Sequence, residues 1–421
     1  MSITRKGLLC GLLASAAIVA GPAFAEVKLA NPAAAGMSEA GLAALDKSFH
    51  GLVDDGRLAG VTTLVARHGQ VVHFDAYGVQ DVNTRAPMKR DTIFRIASMT
   101  KPVTGVAMMI LYEEGKWKLD DPVAKHIPEF ADLMVKRPDG TLVAQTRPMT
   151  MRELMSHTAG FGVSGGYAPA VTDRNQPLQA MIDKLATLPL ATQPGTDWRY
   201  GPSVNIQGYI VEKLSGQPLD VFFQQRIFSP LKMPDTGFAV APASVPRVAS
   251  IHTYDAAKKL IAPPNPVDPS VKPALLSGSG GLLSTTEDYW RFSQMLVNGG
   301  ELDGARILKP DTVKLMRQNV LKDGVLVDLY GPSMQGVGFG MDFAVILDPV
   351  KAGTPQGKDS YYWGGAFGTW FWIDPTNDLV FVGMIQNLNG SIPGRDTPDV
   401  RSISYPLVYG AITKTGQQDA Q

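Results

Sequence analysis

The chain has 421 residues, and its 39 basic and 39 acidic side chains cancel to a formal net charge of zero. That balance lacks the basic excess on which a general nucleic-acid binder relies, so no nucleic-acid partner is expected. With 44% hydrophobic and 19% charged residues the composition is that of an ordinary globular protein, long enough for one large domain or two intimately joined ones.

In chain order, residues 1–25 read as a secretory signal peptide. Arg5 and Lys6 precede a short apolar run, residues 8–20, too short to span a bilayer. Ala23, Phe24 and Ala25 then match a small-x-small cleavage site. Cleavage after Ala25 removes Cys10, the only cysteine, so no thiol nucleophile, thiolate metal site or disulfide is expected. Cys10 also lies inside the apolar run rather than at its end, which argues against lipid attachment. The expected product is secreted or periplasmic, with no stable membrane span after cleavage.

Residues 61–66 and 71–77 are β-rich runs joined by a turn signal at His68, Gly69 and Gln70. Next comes FRIASMTKPVTGVAMMILYEEG, residues 94–115, with Val103, Val106, Ala107, Ile110 and Leu111 at helical spacing and Gly115 as a stop. Between Leu119 and Pro273, helices are predicted over residues 151–156, 178–188, 203–214 and 219–228 among loops rich in Pro and Gly. Residues 236–276 read as irregular, and 286–298 as an amphipathic helix closed by Gly299 and Gly300. Residues 360–363, 369–374 and 379–386 read as closely spaced strands.

The pattern predicts an α+β fold in which one antiparallel sheet, built from both ends of the chain, is covered by helices. The expected organisation is a signal peptide (1–25), a discontinuous sheet domain (26–118 and 277–413), an inserted helical region (119–276) and a polar tail (414–421). A cleft between sheet domain and insert is a common place for a small-molecule site.

Ser98 and Lys101 stand three apart at the head of the 94–115 segment, on one helical face. Pro102 is tolerated only in a first turn, so the helix starts beside Ser98, near free N–H groups and the positive end of the dipole. A serine there is equally a helix cap or a nucleophile with Lys101 as its base. A second Ser-x-x-Lys, Ser229 to Lys232, runs into Met233 and Pro234 and has no helix to hold the pair. Ser164 sits in a G-x-S-x-G string, but a loop precedes it, and Tyr167, Ala168 and Pro169 do not read as a helix start. Lys414, Thr415 and Gly416 lie in the polar tail, without room for the strands a Lys-Thr-Gly element needs. The six histidines, 50, 68, 73, 126, 157 and 252, form no H-E-x-x-H or similar pair, and no P-loop or dinucleotide fingerprint occurs. No metal and no cofactor is expected.

The stretches FRIASMTKPV (94–103), LMSHTAG (154–160), WRYGPSVNIQG (198–208), GGLLSTTEDYWRFSQML (280–296) and WGGA (363–366) together resemble the serine β-lactamase and penicillin-binding protein superfamily, and within it the family VIII carboxylesterases. The resemblance implies an antiparallel sheet with an inserted helical region. It implies Ser98 as the acylated nucleophile, Lys101 as its partner and Tyr200 as a sharer of the general-base role. It also implies an oxyanion hole from the backbone N–H groups of Ser98 and Ala366. A nearby ammonium would favour the Tyr200 phenolate. His157 lies in a family-typical turn, where a structural hydrogen-bonding role is expected.

Two departures bear on substrate. The usual Tyr-x-Asn is replaced by Tyr200, Gly201 and Pro202, so Asn205 either supplies the amide or the function is absent. The usual Lys-Thr-Gly is replaced by Trp363, Gly364 and Gly365, an apolar wall where a carboxylate-binding lysine would stand. A small-molecule ester, neutral and apolar, is therefore expected over anionic β-lactams. The alternatives are an acyltransferase, a β-lactamase or D-peptidase, and, last, a non-catalytic sensor. Strand alternation must send some of Tyr361, Tyr362, Phe367, Trp370 and Trp372 into the core. The sequence does not set the oligomeric state.

Overall fold

A computed structural model describes residues 27–163, 166–265, 267–329, 333–388 and 397–413. The expected signal peptide, Ser164 with Gly165, and the tail with its Lys-Thr-Gly string lie outside the described residues.

The predicted hairpin forms from β1 (Gly60–Arg67) and β2 (Gln70–Gly78). His68 and Gly69 connect them with φ of 52° and 71°, the left-handed conformation that a two-residue type I′ turn requires. Five later strands complete the sheet: β3 (Val337–Phe339), β4 (Ala344–Ile346), β5 (Tyr361–Gly364), β6 (Trp370–Asp374) and β7 (Leu379–Met384). The order is β3-β4-β5-β6-β7-β1-β2, antiparallel throughout. The two ends of the chain join at β7 and β1, in register from Thr62 opposite Met384 to Arg67 opposite Leu379. This is an α+β fold, a seven-stranded antiparallel sheet from N- and C-terminal strands with a helical insert, as expected.

Helices cover both faces. The helices used below, on the sheet or in the insert, are α1 (Glu39–Asp54), α2 (Thr100–Glu113), α3 (Met151–Met155), α4 (Tyr167–Thr172), α5 (Ser203–Ser215), α6 (Thr286–Val297) and α7 (Val400–Gly410). Alternation along the strands assigns the faces. Thr62 Oγ1 lies 2.6 Å from Thr286 Oγ1 on α6, whereas the next residue, Thr63, turns to His73, which faces Asp46 of α1. On β6, Trp370 packs on Phe49 of α1 and Trp372 on Tyr405 of α7, while Phe371 between them packs on Tyr289 of α6. The C-terminal aromatics are thus mainly core: Tyr361, Tyr362, Trp370 and Trp372 are all buried, and Phe367 is half-buried. Fully burying one such side chain contributes on the order of 2–3 kcal/mol. Behind α6, α2 packs against α5, and α5 against α3.

Several elements differ from the expectations. The helix predicted over 219–228 is α-helical over Leu219–Phe223 and continues as a π-turn over Gln224–Phe228. In α1, Leu42, Leu45, Phe49 and Leu52 are buried at helical spacing, but Gly41 and Gly51 dilute the signal. Gly41 has a packing reason: a Cβ there would lie 2.6 Å from Cα of Ala411, where α1 crosses the end of α7. Among the described residues no helix is long and apolar enough to cross a membrane.

Candidate active site

Phe94 and Arg95 pair with Leu283 and Ser284 in a short ladder, after which the chain makes a 3-10 turn over Ala97–Met99 and enters α2. Ala97 takes φ of 44°, a left-handed conformation that costs a non-glycine residue about 1 kcal/mol or more. Pro102 is the third residue of α2, in the first turn as its missing N–H requires. Ser98 makes no cap bond to the helix, so the cap reading falls away. Its hydroxyl instead meets two side chains.

The first is Lys101. It is buried, with Nζ 3.2 Å from Ser98 Oγ and donating to the Ser279 carbonyl at 2.8 Å. Loss of hydration lowers its pKa from 10.5 to about 7, while the buried carboxyl of Asp342 works in the opposite direction. That displacement corresponds to roughly 5 kcal/mol against the ammonium form, enough to give a neutral amine in a large share of molecules near pH 7.

The second is Tyr200. Its hydroxyl is hydrogen-bonded to Ser98 and accepts from Trp363 Nε1 at 3.4 Å, and its ring centroid lies 4.5 Å from Lys101 Nζ. Desolvation pushes its pKa up to about 12, against the hydrogen bonds. The expectation of a phenolate is thereby corrected. Burial outweighs those hydrogen bonds, so Tyr200 is a neutral phenol and a proton donor.

Trp363 is 5% exposed and packs against Tyr200, Trp198 and Phe339. It is a wall, as expected, and also a holder of the Tyr200 hydroxyl, which spacing could not reveal. Gly364 and Gly365 let β5 approach its neighbours. A Cβ on Gly364 would collide with Arg401, and one on Gly365 with the Ile96 carbonyl, two residues before Ser98. Both glycines face protein in this structure, and they bring the end of β5 onto the Ser98 turn. Ala366 follows in an exposed turn. Among the described residues, neither its N–H nor that of Ser98 donates to a protein acceptor.

Asn205 is buried, and its Oδ1 accepts from Ser277 Oγ at 2.8 Å and from the Ser279 N–H at 3.0 Å. It therefore sets the loop whose carbonyl holds Lys101, which places it behind the amine. Two other groups were not foreseen. Ser279 supplies that carbonyl from 178 positions away. Asp342, fully buried, is held by Gln207 Nε2 at 3.1 Å on Oδ1, and its Oδ2 has no hydrogen-bond partner among the described residues. It packs on Gly105, one turn beyond Lys101, where a Cβ would come within 2.9 Å of Oδ2. Asp342 has φ of 64°, and burial drives its pKa well up. No local pattern marks it.

His157 departs from expectation. Its ring is buried among Trp198, Tyr200 and Phe339, and neither ring nitrogen has a hydrogen-bond partner among the described residues. Burial, and then the Lys101 charge, hold its pKa well below 6.5. Its structural role is packing, together with a main-chain bond from the Arg199 N–H to its carbonyl at 2.8 Å. Beside Tyr200 opens a cavity of about 400 Å3 lined by Gly162, Val163, Trp198, Val325 and Leu329, among others.

The decoys separate cleanly. Ser229 and Lys232 are exposed, and Lys232 reaches Asp303 instead. Tyr167 does start a helix, Tyr167–Thr172, with Pro169 in its first turn, which corrects the reading of that stretch. The residues before Ser164 from Ser156 to Val163 contain no strand, so an elbow still lacks its first half.

The Beta-lactamase family model matches residues 45–403. Protein Rv1367c of Mycobacterium tuberculosis is 35% identical over 359 residues, covering 81% of this chain and 88% of the relative. Esterase EstB of Burkholderia gladioli is 32% identical over 407 residues, covering 89% and 98%. The solved structure of EstCE1, described as a hydrolase with promiscuous acyltransferase activity, superimposes with a TM-score of 0.73 at 28% identity, covering 88% of this chain and 99% of that one. The chain belongs to the Beta-lactamase family and is a serine hydrolase of its family VIII esterase-like branch.

Proposed function

We propose that this member of the Beta-lactamase family is an exported serine esterase that cleaves short-chain or apolar esters through a Ser98 acyl-enzyme. The observation that carries the reading is the Ser98 hydroxyl shared between an amine lowered to about 7 and a phenol raised to about 12. Neutral Lys101 takes the proton as Ser98 Oγ attacks the ester carbonyl. The tetrahedral oxyanion is received by the unspent N–H groups of Ser98 and Ala366. Tyr200, a neutral donor, protonates the leaving alcohol and is reprotonated from Lys101. Water then releases the acyl group by the same relay in reverse.

Substrate preference follows from Trp363. An indole offers no charge to a carboxylate, and its N–H is engaged by Tyr200. The esterase name of EstB supports the same class. The name of EstCE1 adds a second use of the acyl-enzyme, transfer to an alcohol or amine in place of water, which product analysis with added acceptors separates. Export rests on residues 1–25 and predicts a mature N-terminus at Glu26.

The test is hydrolysis of 4-nitrophenyl butyrate by the wild type, Ser98→Ala and Ser164→Ala. Ser98→Ala should lose about a thousandfold or more while Ser164→Ala keeps its rate. Full turnover by Ser98→Ala contradicts the reading, and efficient nitrocefin turnover by the wild type contradicts the substrate preference.

A further inference from the structure

Four strands away from β5, on the face of the sheet that carries α1, a second set of polar side chains converges. Asp46 and His50 stand one turn apart on α1, and His73 and Asp75 share one face of β2. In the sequence these are a D-x-x-x-H and an H-x-D, neither a recognised ligand motif, and only the packing of α1 on β2 brings them together.

One ligand atom from each of Asp46, His50 and Asp75 lies within 4.8 Å of the other two. His50 Nε2 is 2.8 Å from Asp75 Oδ2, and His73 Nε2 is 3.3 Å from Asp46 Oδ1 and 3.0 Å from Thr63 Oγ1. Asp46 Oδ1 is buried and accepts no hydrogen bond among the described residues. Arg90 rests on the ring of Phe74, which points to the other face of β2. Two carboxylates thus face one another with an unused oxygen between α1 and β2. The side chains of Asp46, His50 and Asp75 are each about 30% exposed, so an ion and a water can enter.

We propose that Asp46, His50 and Asp75 bind one Zn2+ ion, with water in the fourth position. Zinc takes nitrogen and oxygen donors at about 2.0–2.2 Å, which sets tetrahedral donors roughly 3.3 Å apart, so the His50–Asp75 pair would open from 2.8 Å with Asp46 already inside the 4.8 Å span. Calcium and magnesium demand more oxygen donors than the site offers, and neither favours imidazole. Coordination through Nε2 replaces the proton shared by His50 and Asp75 and leaves the imidazole N–H on Nδ1. His73, held by Thr63, backs Asp46 from below. The ion would pin α1 to the edge strand, independently of Ser98.

The test is a titration of metal-free full-length enzyme with ZnCl2 by calorimetry, alongside MgCl2, for the wild type, His50→Ala and Asp75→Asn. One Zn2+ per chain is expected, with a rise in Tm, roughly tenfold or greater loss of affinity in each variant, and ester turnover unchanged in both. Zinc-edge anomalous scattering from crystals of the loaded wild type provides a readout that does not depend on the variants folding. Density between His50 and Asp75 supports the proposal. No saturable Zn2+ binding, a preference for Mg2+, wild-type affinity in both variants or density elsewhere overturns it.

Discussion

Two groups of ionisable side chains divide this molecule, and their contrast shows what burial does. Around Ser98, Lys101, Tyr200, His157 and Asp342 are enclosed by α2, α5 and the end of β5. Desolvation is the largest influence on each, lowering the amine and the imidazole and raising the phenol and the carboxyl. Every member is driven towards its neutral form, which yields a base without a cation and a donor without an anion. Between α1 and β2 the enclosure is partial. Asp46 and His73 are shifted by burial, yet charged neighbours still act on both: Asp75 from one side, and His50 and Arg90 in the opposite sense. The first environment suits proton transfer to and from a neutral ester, and the second suits a cation.

The sharpest way to break this comparison is Lys101→Met. Removing the base should lower kcat/KM for a nitrophenyl ester by about a thousandfold or more. Stability should move the other way. A lysine whose folded pKa lies below its unfolded value costs stability wherever the unfolded chain holds the proton. The penalty is full below about pH 7 and fades as pH rises towards 10.5. Lys101→Met should therefore gain roughly 1–3 kcal/mol in urea unfolding at pH 6, after the lost bond to Ser279 is offset, and less at pH 9. A loss of stability at pH 6 would contradict the desolvation account.

Tyr200→Phe comes next, with an expected loss of about a hundredfold in kcat/KM and no change in which serine is acylated. Asp342→Asn tests the inner group more gently. Only an ionised Asp342 would raise the Lys101 pKa, and burial holds the carboxyl neutral, so its replacement by the uncharged amide should leave the acid limb of the pH profile in place. A limb moved to lower pH would show that Asp342 carries its charge beside Lys101. Trp363→Phe keeps the wall but removes the indole N–H on Tyr200, and a loss of about fivefold is expected, the worth of one modest hydrogen bond. The smallest effect belongs to the outer group, where His50→Ala should leave ester turnover within about twofold.

The legibility of the sequence follows the same division between local and distant. The β1–β2 hairpin, α2 and the C-terminal strands were readable because alternation, helical spacing and turn residues are short-range signals. Their union into one sheet agreed with the run of strands at both ends. The three-residue strands β3 and β4 escaped, being too short to show a period, and α1 was obscured by a glycine that serves its crossing with α7. At the site, Ser98 and Lys101 were visible from Pro102 and spacing, whereas the cap and nucleophile readings could be separated only by seeing where the hydroxyl points. Tyr200 and Trp363 entered through resemblance. Ser279 and Asp342 did not enter at all, because a carbonyl and a lone buried carboxyl carry no local pattern. Their contacts join residues 178 and 135 positions apart. Tyr200 is a neutral phenol for a reason that spacing does not carry: the burial of its own hydroxyl outweighs the hydrogen bonds to it.

The central claim is that burial makes Lys101 a neutral base for Ser98. Its most direct test is the pH dependence of Ser98 acylation by a fluorophosphonate, followed as a pre-steady-state rate from pH 5 to 10 and mapped to the peptide by mass spectrometry. The account predicts label on Ser98 and a rate that rises with pH through a single midpoint near 7, abolished in Lys101→Met. A midpoint above about 9, close to an ordinary lysine, or label on another serine, would contradict it.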